Sequence, residues 1–181
     1  YYAVQRHFEF PESGQPSDDL AIVEDGCDYT DCEPVPVSGG AADPNFSCVM
    51  GCVPLSDLSG VVYGDAGDAQ TVRYVPLDGS FEATQASTVV ATGASDWQVG
   101  GHVVAYRTGQ TISAYDTTSG ATTELGSIGA GAGGFTLSAD GQWVFINSVT
   151  LTTMDVNRVS TAGGNPELIY HFVSGAERGT G

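Results

Sequence analysis

Leu137-Ser138-Ala139-Asp140-Gly141-Gln142-Trp143-Val144-Phe145 places a polar, glycine-bearing turn directly before an apolar run. Asp-Gly is a turn signal because glycine, lacking a Cβ, enters positive φ without steric cost. The residues that follow are aromatic and β-branched, the types that suit a pleated strand. Trp97-Gln98-Val99-Gly100-Gly101-His102-Val103-Val104 repeats the plan of Phe135 to Phe145: an aromatic, a Gly-bearing turn, then an apolar strand. Both segments read as hairpins whose turns need positive φ.

The same alternation extends in both directions. Gly60-Val61-Val62-Tyr63 opens one strand, and Thr71-Val72-Arg73-Tyr74-Val75 forms another before the turn Leu77-Asp78-Gly79. Thr88-Val89-Val90-Ala91 and Asp96-Trp97-Gln98-Val99 follow, and the pattern restarts at His102-Val103-Val104-Ala105-Tyr106 with Thr111 to Asp116 behind it. It restarts again at Trp143-Val144-Phe145-Ile146, followed by Leu151 to Val156 and Arg158-Val159-Ser160. Val62 to Val104 is 42 residues and Val104 to Val144 is 40, while the turn glycines give 41 from Gly79 to Gly120 and 43 from Gly120 to Gly163. A period of roughly 40–45 residues with four short strands is the signature of a β-propeller blade, a small sheet that must stack on neighbours to bury its faces. No window holds the i, i+3, i+4, i+7 spacing of a helix, so the fold class expected is all-β.

The chain divides in character near Leu55. Residues 56–181 carry the repeats, with blades at about 56–100, 101–141 and 142–181, and residues 1–55 form a Cys- and Asp-rich segment. Tyr1 to about Phe10 reads as one strand. Pro11 to Pro54 is loop-rich apart from Leu20-Ala21-Ile22-Val23, and buries too little to hold itself together without cross-links. Cys27, Cys32, Cys48 and Cys52 all fall in that stretch, an even number in a loop-rich context, which reads as two disulfides in an oxidising compartment. Three pairings are open. The alternative, a zinc site made of all four cysteines, fits poorly, because the spacings C-x4-C and C-x3-C are not the two-residue gap usual for paired zinc ligands.

Charge narrows the partners. With 22 acidic residues against five Arg and no Lys, the net charge of -17 repels nucleic-acid backbones and anionic headgroups. No apolar stretch reaches the roughly 18 residues that span a bilayer. The run Glu24-Asp25-Gly26-Cys27-Asp28-Tyr29-Thr30-Asp31-Cys32 offers Glu24, Asp25, Asp28 and Asp31 as hard oxygen ligands around a glycine turn, a candidate Ca2+ site, though without EF-hand spacing; the competing reading is a solvated acidic loop. No catalytic residues emerge: the chain has no Gly-x-Ser-x-Gly elbow and no lysine for a P-loop or Schiff base. His7, His102 and His171 are scattered, and no haem or other cofactor motif is present. Trp97, Tyr106, Tyr115, Phe135, Trp143 and Phe145 read as inter-blade packing.

The segment Leu137 to Phe145 resembles the S-P-D-G-K/Q-x-I/L/V core of TolB-type, WD40-like β-propeller repeats, with Ala139 where the family has Pro. Val72 to Gly79 is similar to the strand and turn that follow it, and Asn157-Arg158-Val159-Ser160-Thr161-Ala162-Gly163-Gly164-Asn165-Pro166-Glu167-Leu168 is similar to L-x-R-V-x-x-x-G-G-x-P-x-x-L. The likeness covers residues 56–181, about three blades, and its motifs are turn and packing positions that carry no functional residues across. Three blades do not close a ring, which takes about four to eight, so the rest is expected from a longer polypeptide or from other chains. The resemblance implies an exported protein, extracellular, periplasmic or on the outer cell surface, with room for a lipid anchor upstream. Its expected role is a non-catalytic binding or scaffold module that meets a protein partner or associates with itself through blade edges. The alternatives are an accessory propeller of a larger secreted enzyme and a Ca2+-dependent adhesion segment.

Overall fold

In the computed structural model, residues 2–9, 16–23, 35–43, 46–48, 51–129 and 132–174 are described, those up to Pro36 by their backbone alone. Their regular structure is entirely β, as expected from the alternation. The chain forms two compact units, 1–94 and 95–181.

The first unit opens with a three-stranded antiparallel sheet of β1 (Tyr2–Glu9), β2 (Pro16–Val23) and β3 (Val35–Pro36), in that order. The first blade follows: β4 (Cys52–Pro54), β5 (Gly60–Asp65), β6 (Asp68–Pro76) and β7 (Thr88–Ala91), each paired antiparallel to the next. The second blade comprises β8 (Ala94–Gly100), β9 (Val103–Thr108), β10 (Thr111–Asp116) and β11 (Thr122–Ser127). The third comprises β12 (Ala132–Leu137), β13 (Trp143–Val149), β14 (Thr153–Ser160) and β15 (Glu167–Val173).

The blades start one strand earlier than the boundaries at 56, 101 and 142. A periodic pattern fixes the spacing of the repeat but not its phase. In the first blade the leading strand is only Cys52-Val53-Pro54, too short to display alternation and embedded in the cysteine-rich stretch. It belongs to the blade and not to the N-terminal segment.

Hydrogen bonding shows the internal repeat more sharply than the residues do. In the third blade, Ser138 N donates to Trp143 O at 2.9 Å and Gly141 N to Ser138 O at 2.9 Å, while Asp140 Oδ1 accepts from Gln142 N at 3.0 Å. In the first blade, Leu55 N donates to Gly60 O at 2.9 Å, Leu58 N to Leu55 O at 3.0 Å, and Asp57 Oδ1 accepts from Ser59 N at 3.1 Å. Leu55-Ser56-Asp57-Leu58-Ser59 is therefore another copy of the turn, with Leu58 at φ 62° where Gly141 has 72° and Gly101 has 54°. This superposes Val61, Val104 and Val144, all 0% exposed. Each blade also has a bulge between its third and fourth strands at the same place, Val72/Arg73, Ile112/Ser113 and Val156/Asn157.

Within the second unit the blades stack face to face. Ala105, Ile112, Ala114 and Leu125 of the second blade meet Phe135, Leu137, Val144, Ile146 and Val159 of the third in one core. Burying a Val- or Leu-sized side chain contributes about 1.5–3 kcal/mol, so this interface holds the unit together. Gln98 locks its rim: its Nε2 donates to Phe135 O at 3.0 Å and its Oε1 accepts from Leu137 N at 2.9 Å, satisfying backbone groups of β12. The turns come equally close, with Gly101 N donating to Ala139 O at 3.0 Å. A Cβ on Gly101 would stand 2.5 Å from Asp140 O, so this site needs glycine for space as well as for φ.

Candidate functional site

A partly enclosed polar site lies in the first unit, on the face of the first blade that carries Val61, Tyr63, Val75 and Leu77. Alternation along β5 and β6 puts these residues on one side, where Val37, Phe46 and Cys48 cover them. The Cys48–Cys52 disulfide, with a Cα–Cα distance of 5.1 Å, ties this cover to β4. Closing so short a loop stabilises by about 2 kcal/mol in the chain-entropy account.

Tyr63 sits at the centre, 1% exposed, its ring edge-on to Phe46 with centroids 5.1 Å apart. Its hydroxyl donates to Asp43 Oδ2 at 2.8 Å, and Asp43 is itself only 5% exposed. Burial pushes the Tyr63 hydroxyl up to about 12, against a smaller opposing effect of a hydrogen bond with Ser87. Tyr63 is therefore a neutral donor that satisfies a buried carboxylate. Beside it, Arg73 Nε meets Asp65 Oδ2 at 2.6 Å, and Asp65 Oδ1 accepts from Gly67 N at 2.8 Å. The guanidinium and that backbone amide hold the Asp65 carboxyl below its usual range. Together with Ala66 and Ser87 these residues line a pocket of about 410 Å3. Its carboxylates, guanidinium and hydroxyls can hydrogen-bond a small polar molecule. Among the described residues that line it there is no thiol, imidazole or ammonium.

Of the residues singled out from sequence, Cys48 and Cys52 are bonded to each other, which removes both from a four-cysteine zinc set. Cys27 and Cys32, and the calcium candidates Glu24, Asp25, Asp28 and Asp31, lie outside the described residues. Among the described residues, no group of three or more His, Cys, Asp or Glu side chains is placed to hold a metal ion. His171, on β15, pairs with Asp155 at the surface, and the His102 carbonyl accepts from Thr117 N and Oγ1, both at 2.9 Å. The side chain of His7 is not described. Phe135 packs between blades as expected, whereas Trp143 and Phe145 lie on the opposite face of the third blade, half-buried. Sequence reading passed over Asp43, Tyr63, Asp65, Arg73 and Ser87, because their partners come from separate strands and turns and no motif joins them.

No protein-family model matches the chain, and no curated protein does. Among solved structures, a protein from Agrobacterium tumefaciens named as a candidate TolB is similar with a TM-score of 0.53 at 20% identity, over 86% of this chain and 56% of that one. A protein from Lactobacillus plantarum matches with a TM-score of 0.45 at 17% identity, over 87% of this chain and 51% of that one. One from Bacteroides uniformis, named as a candidate 6-phosphogluconolactonase, gives 0.47 at 12% identity, over 88% and 52%. The chain thus spans little more than half the length of these structures. The first likeness, with the three four-stranded sheets, makes the fold that of propeller blades. No helix among the described residues is long and apolar enough to cross a membrane.

Proposed function

We propose that the chain is a non-catalytic binding or scaffold module of an exported protein, built to meet a protein partner. The observation that carries this reading is the outer strand of the third blade. β15 is exposed along its whole length, with Leu168 at 56%, Ile169 at 45%, Tyr170 at 49% and Phe172 at 49%. Among the described residues, β15 pairs with β14 on one side only. A run of large apolar side chains on such an edge strand is costly in water unless something covers it. The Cys48–Cys52 bond supports export, since disulfides persist in oxidising compartments. The polar pocket beside Tyr63 fits a structural role, its ionic groups paired with one another and its tyrosine held neutral.

The test pairs a binding measurement with an activity screen. Tyr170→Asp combined with Phe172→Asp is expected to abolish retention of the protein partner on the immobilised chain, with the melting temperature unchanged. Hydrolysis of lactone, ester, phosphate or glycoside substrates is expected to stay at the buffer rate. Turnover that disappears on Tyr63→Phe or Asp65→Asn would make the first-blade pocket an active site and end the scaffold reading.

A further inference from the structure

The pocket beside Tyr63 carries a charge that its own groups do not cancel. Among the described residues lining it, the carboxylates of Asp43 and Asp65 stand against one cation, the Arg73 guanidinium. Asp65 takes that guanidinium through Nε at 2.6 Å, and of the groups that keep Arg73 protonated Asp43 contributes least. Asp43 is the deeper carboxylate, 5% exposed, and Tyr63 donates to it at 2.8 Å. A tyrosine hydroxyl that burial pushes up to about 12 brings a dipole and no charge. Two carboxylates against one guanidinium leave one negative charge over, and a buried charge is costly until a cation meets it. The lining runs from exposed Ala66 and Gly67, in the turn between β5 and β6, down to buried Asp43 and Tyr63. Asp43 is also fixed in place. Its N donates to Gly39 O at 2.8 Å, and its carbonyl accepts from Phe46 N at 3.1 Å. Gly39 lies so close that a Cβ there would strike the Asp43 carbonyl, and the Cys48–Cys52 bond ties the same loop to β4. A carboxylate held this way loses little freedom when a ligand arrives.

We propose that this pocket binds a small free primary amine, its ammonium group seated against Asp43. The single charge of an ammonium cancels the one left over. Its three N–H donors and lack of any acceptor suit a wall of carboxylate and hydroxyl oxygens from Asp43, Asp65, Tyr63 and Ser87. Each N–H bond to a carboxylate is about twice as strong as a neutral one. The volume of about 410 Å3 lies near the low end of the roughly 300–1,000 Å3 of ligand pockets, which favours a small molecule. A bare metal ion fits poorly, since no group of three or more His, Cys, Asp or Glu among the described residues is placed to hold one. An anion is opposed by both carboxylates and by the net charge of -17. A second copy of the chain cannot supply the group from a lysine, because the chain has none. The Arg73–Asp65 pair and the neutral Tyr63 serve the structural role described above; the amine answers the charge that role leaves at Asp43. The inference goes beyond the scaffold reading and does not depend on β15.

The test titrates the full chain with ethanolamine by calorimetry, beside tetramethylammonium and glycerol at matched ionic strength. Saturable binding of one ethanolamine per chain and a raised melting temperature are expected, with neither control binding. Asp43→Asn keeps an acceptor for the Tyr63 hydroxyl and should weaken ethanolamine at least about tenfold. Asp96→Asn removes the same charge at an exposed site in the second unit and should bind as the parent does. Assigned amide spectra of the unmutated chain give a readout that needs no variant: shifts should concentrate at Asp43, Gly67 and Arg73. Absence of binding overturns the proposal, and so do shifts that avoid those three residues. Equal binding of tetramethylammonium overturns it as well, since that would be diffuse attraction to an acidic chain. Binding of Nα-acetyl-lysine methylamide without ethanolamine would give the pocket to a partner's lysine and end the free-amine assignment. Loss of partner retention in the Tyr170 and Phe172 variant, with ethanolamine binding intact, touches only the scaffold reading.

Discussion

One sheet face of the first blade and one of the third are built from the same repeat and meet opposite fates. On the first blade, Tyr63 is under Phe46, its hydroxyl is bonded to Asp43, and a disulfide pins the cover in place. On the third blade, Tyr170 and Phe172 stand half in solvent. A blade cannot bury both faces by itself, so each must be covered by something that is not part of the blade. On the first blade the chain supplies that cover from a short, cross-linked loop. On the third the described chain supplies none.

The largest expected contrast comes from truncating the two tyrosines. Tyr63→Ala should cost about 3–5 kcal/mol, since it opens a cavity and leaves Asp43 buried without its donor. Tyr170→Ala should cost less than about 1 kcal/mol, because little burial is lost. Urea unfolding of both variants measures the difference, and equal losses would mean that the third-blade face is already covered in solution.

A smaller effect separates the two copies of the turn. Gly141→Ala places a Cβ at φ 72° against the Gly100 carbonyl and should cost about 1–3 kcal/mol. Leu58→Gly relieves φ 62° but gives up a side chain packed against the first-blade core, and the two changes should offset to within about 1 kcal/mol. Thermal unfolding of both variants checks the pair. A clear destabilisation by Leu58→Gly would show that packing outweighs strain there.

A further effect appears only in alkali. Tyr63 is raised from 10.0 to about 12 in the folded chain, so the unfolded chain loses this proton first. The stability it contributes is complete below pH 10 and falls as pH rises from 10 to 12. Tyr63→Phe should flatten that part of the stability profile, as urea unfolding at a series of pH values between about 9 and 12 would measure.

Much of this was legible in the residues. Strand alternation, Asp140-Gly141 and Gly100-Gly101 identified the hairpins because these are local steric requirements. The spacing of Val62, Val104 and Val144 gave the period, though hydrogen bonding superposes Val61 on the later two. The first-blade turn went unseen because Leu58 occupies the left-handed position that glycine takes in the other copies. The short strand Cys52–Pro54 hid in the cysteine-rich stretch for want of length. The candidate pocket was not legible at all: Asp43, Tyr63 and Ser87 are brought together by a loop folding over a sheet, and no pattern of spacing encodes that approach.

By itself the sequence determined the all-β class, the blade period and the acidic character of the chain, because these follow from residue sterics, periodicity and summed charge. Only the tertiary structure decided that Cys48 bonds Cys52, that the Tyr63 hydroxyl donates to Asp43, and which blade face is covered and which is open. Those outcomes depend on distances between segments far apart in the chain, which burial and hydrogen bonding set only after the sheets have formed.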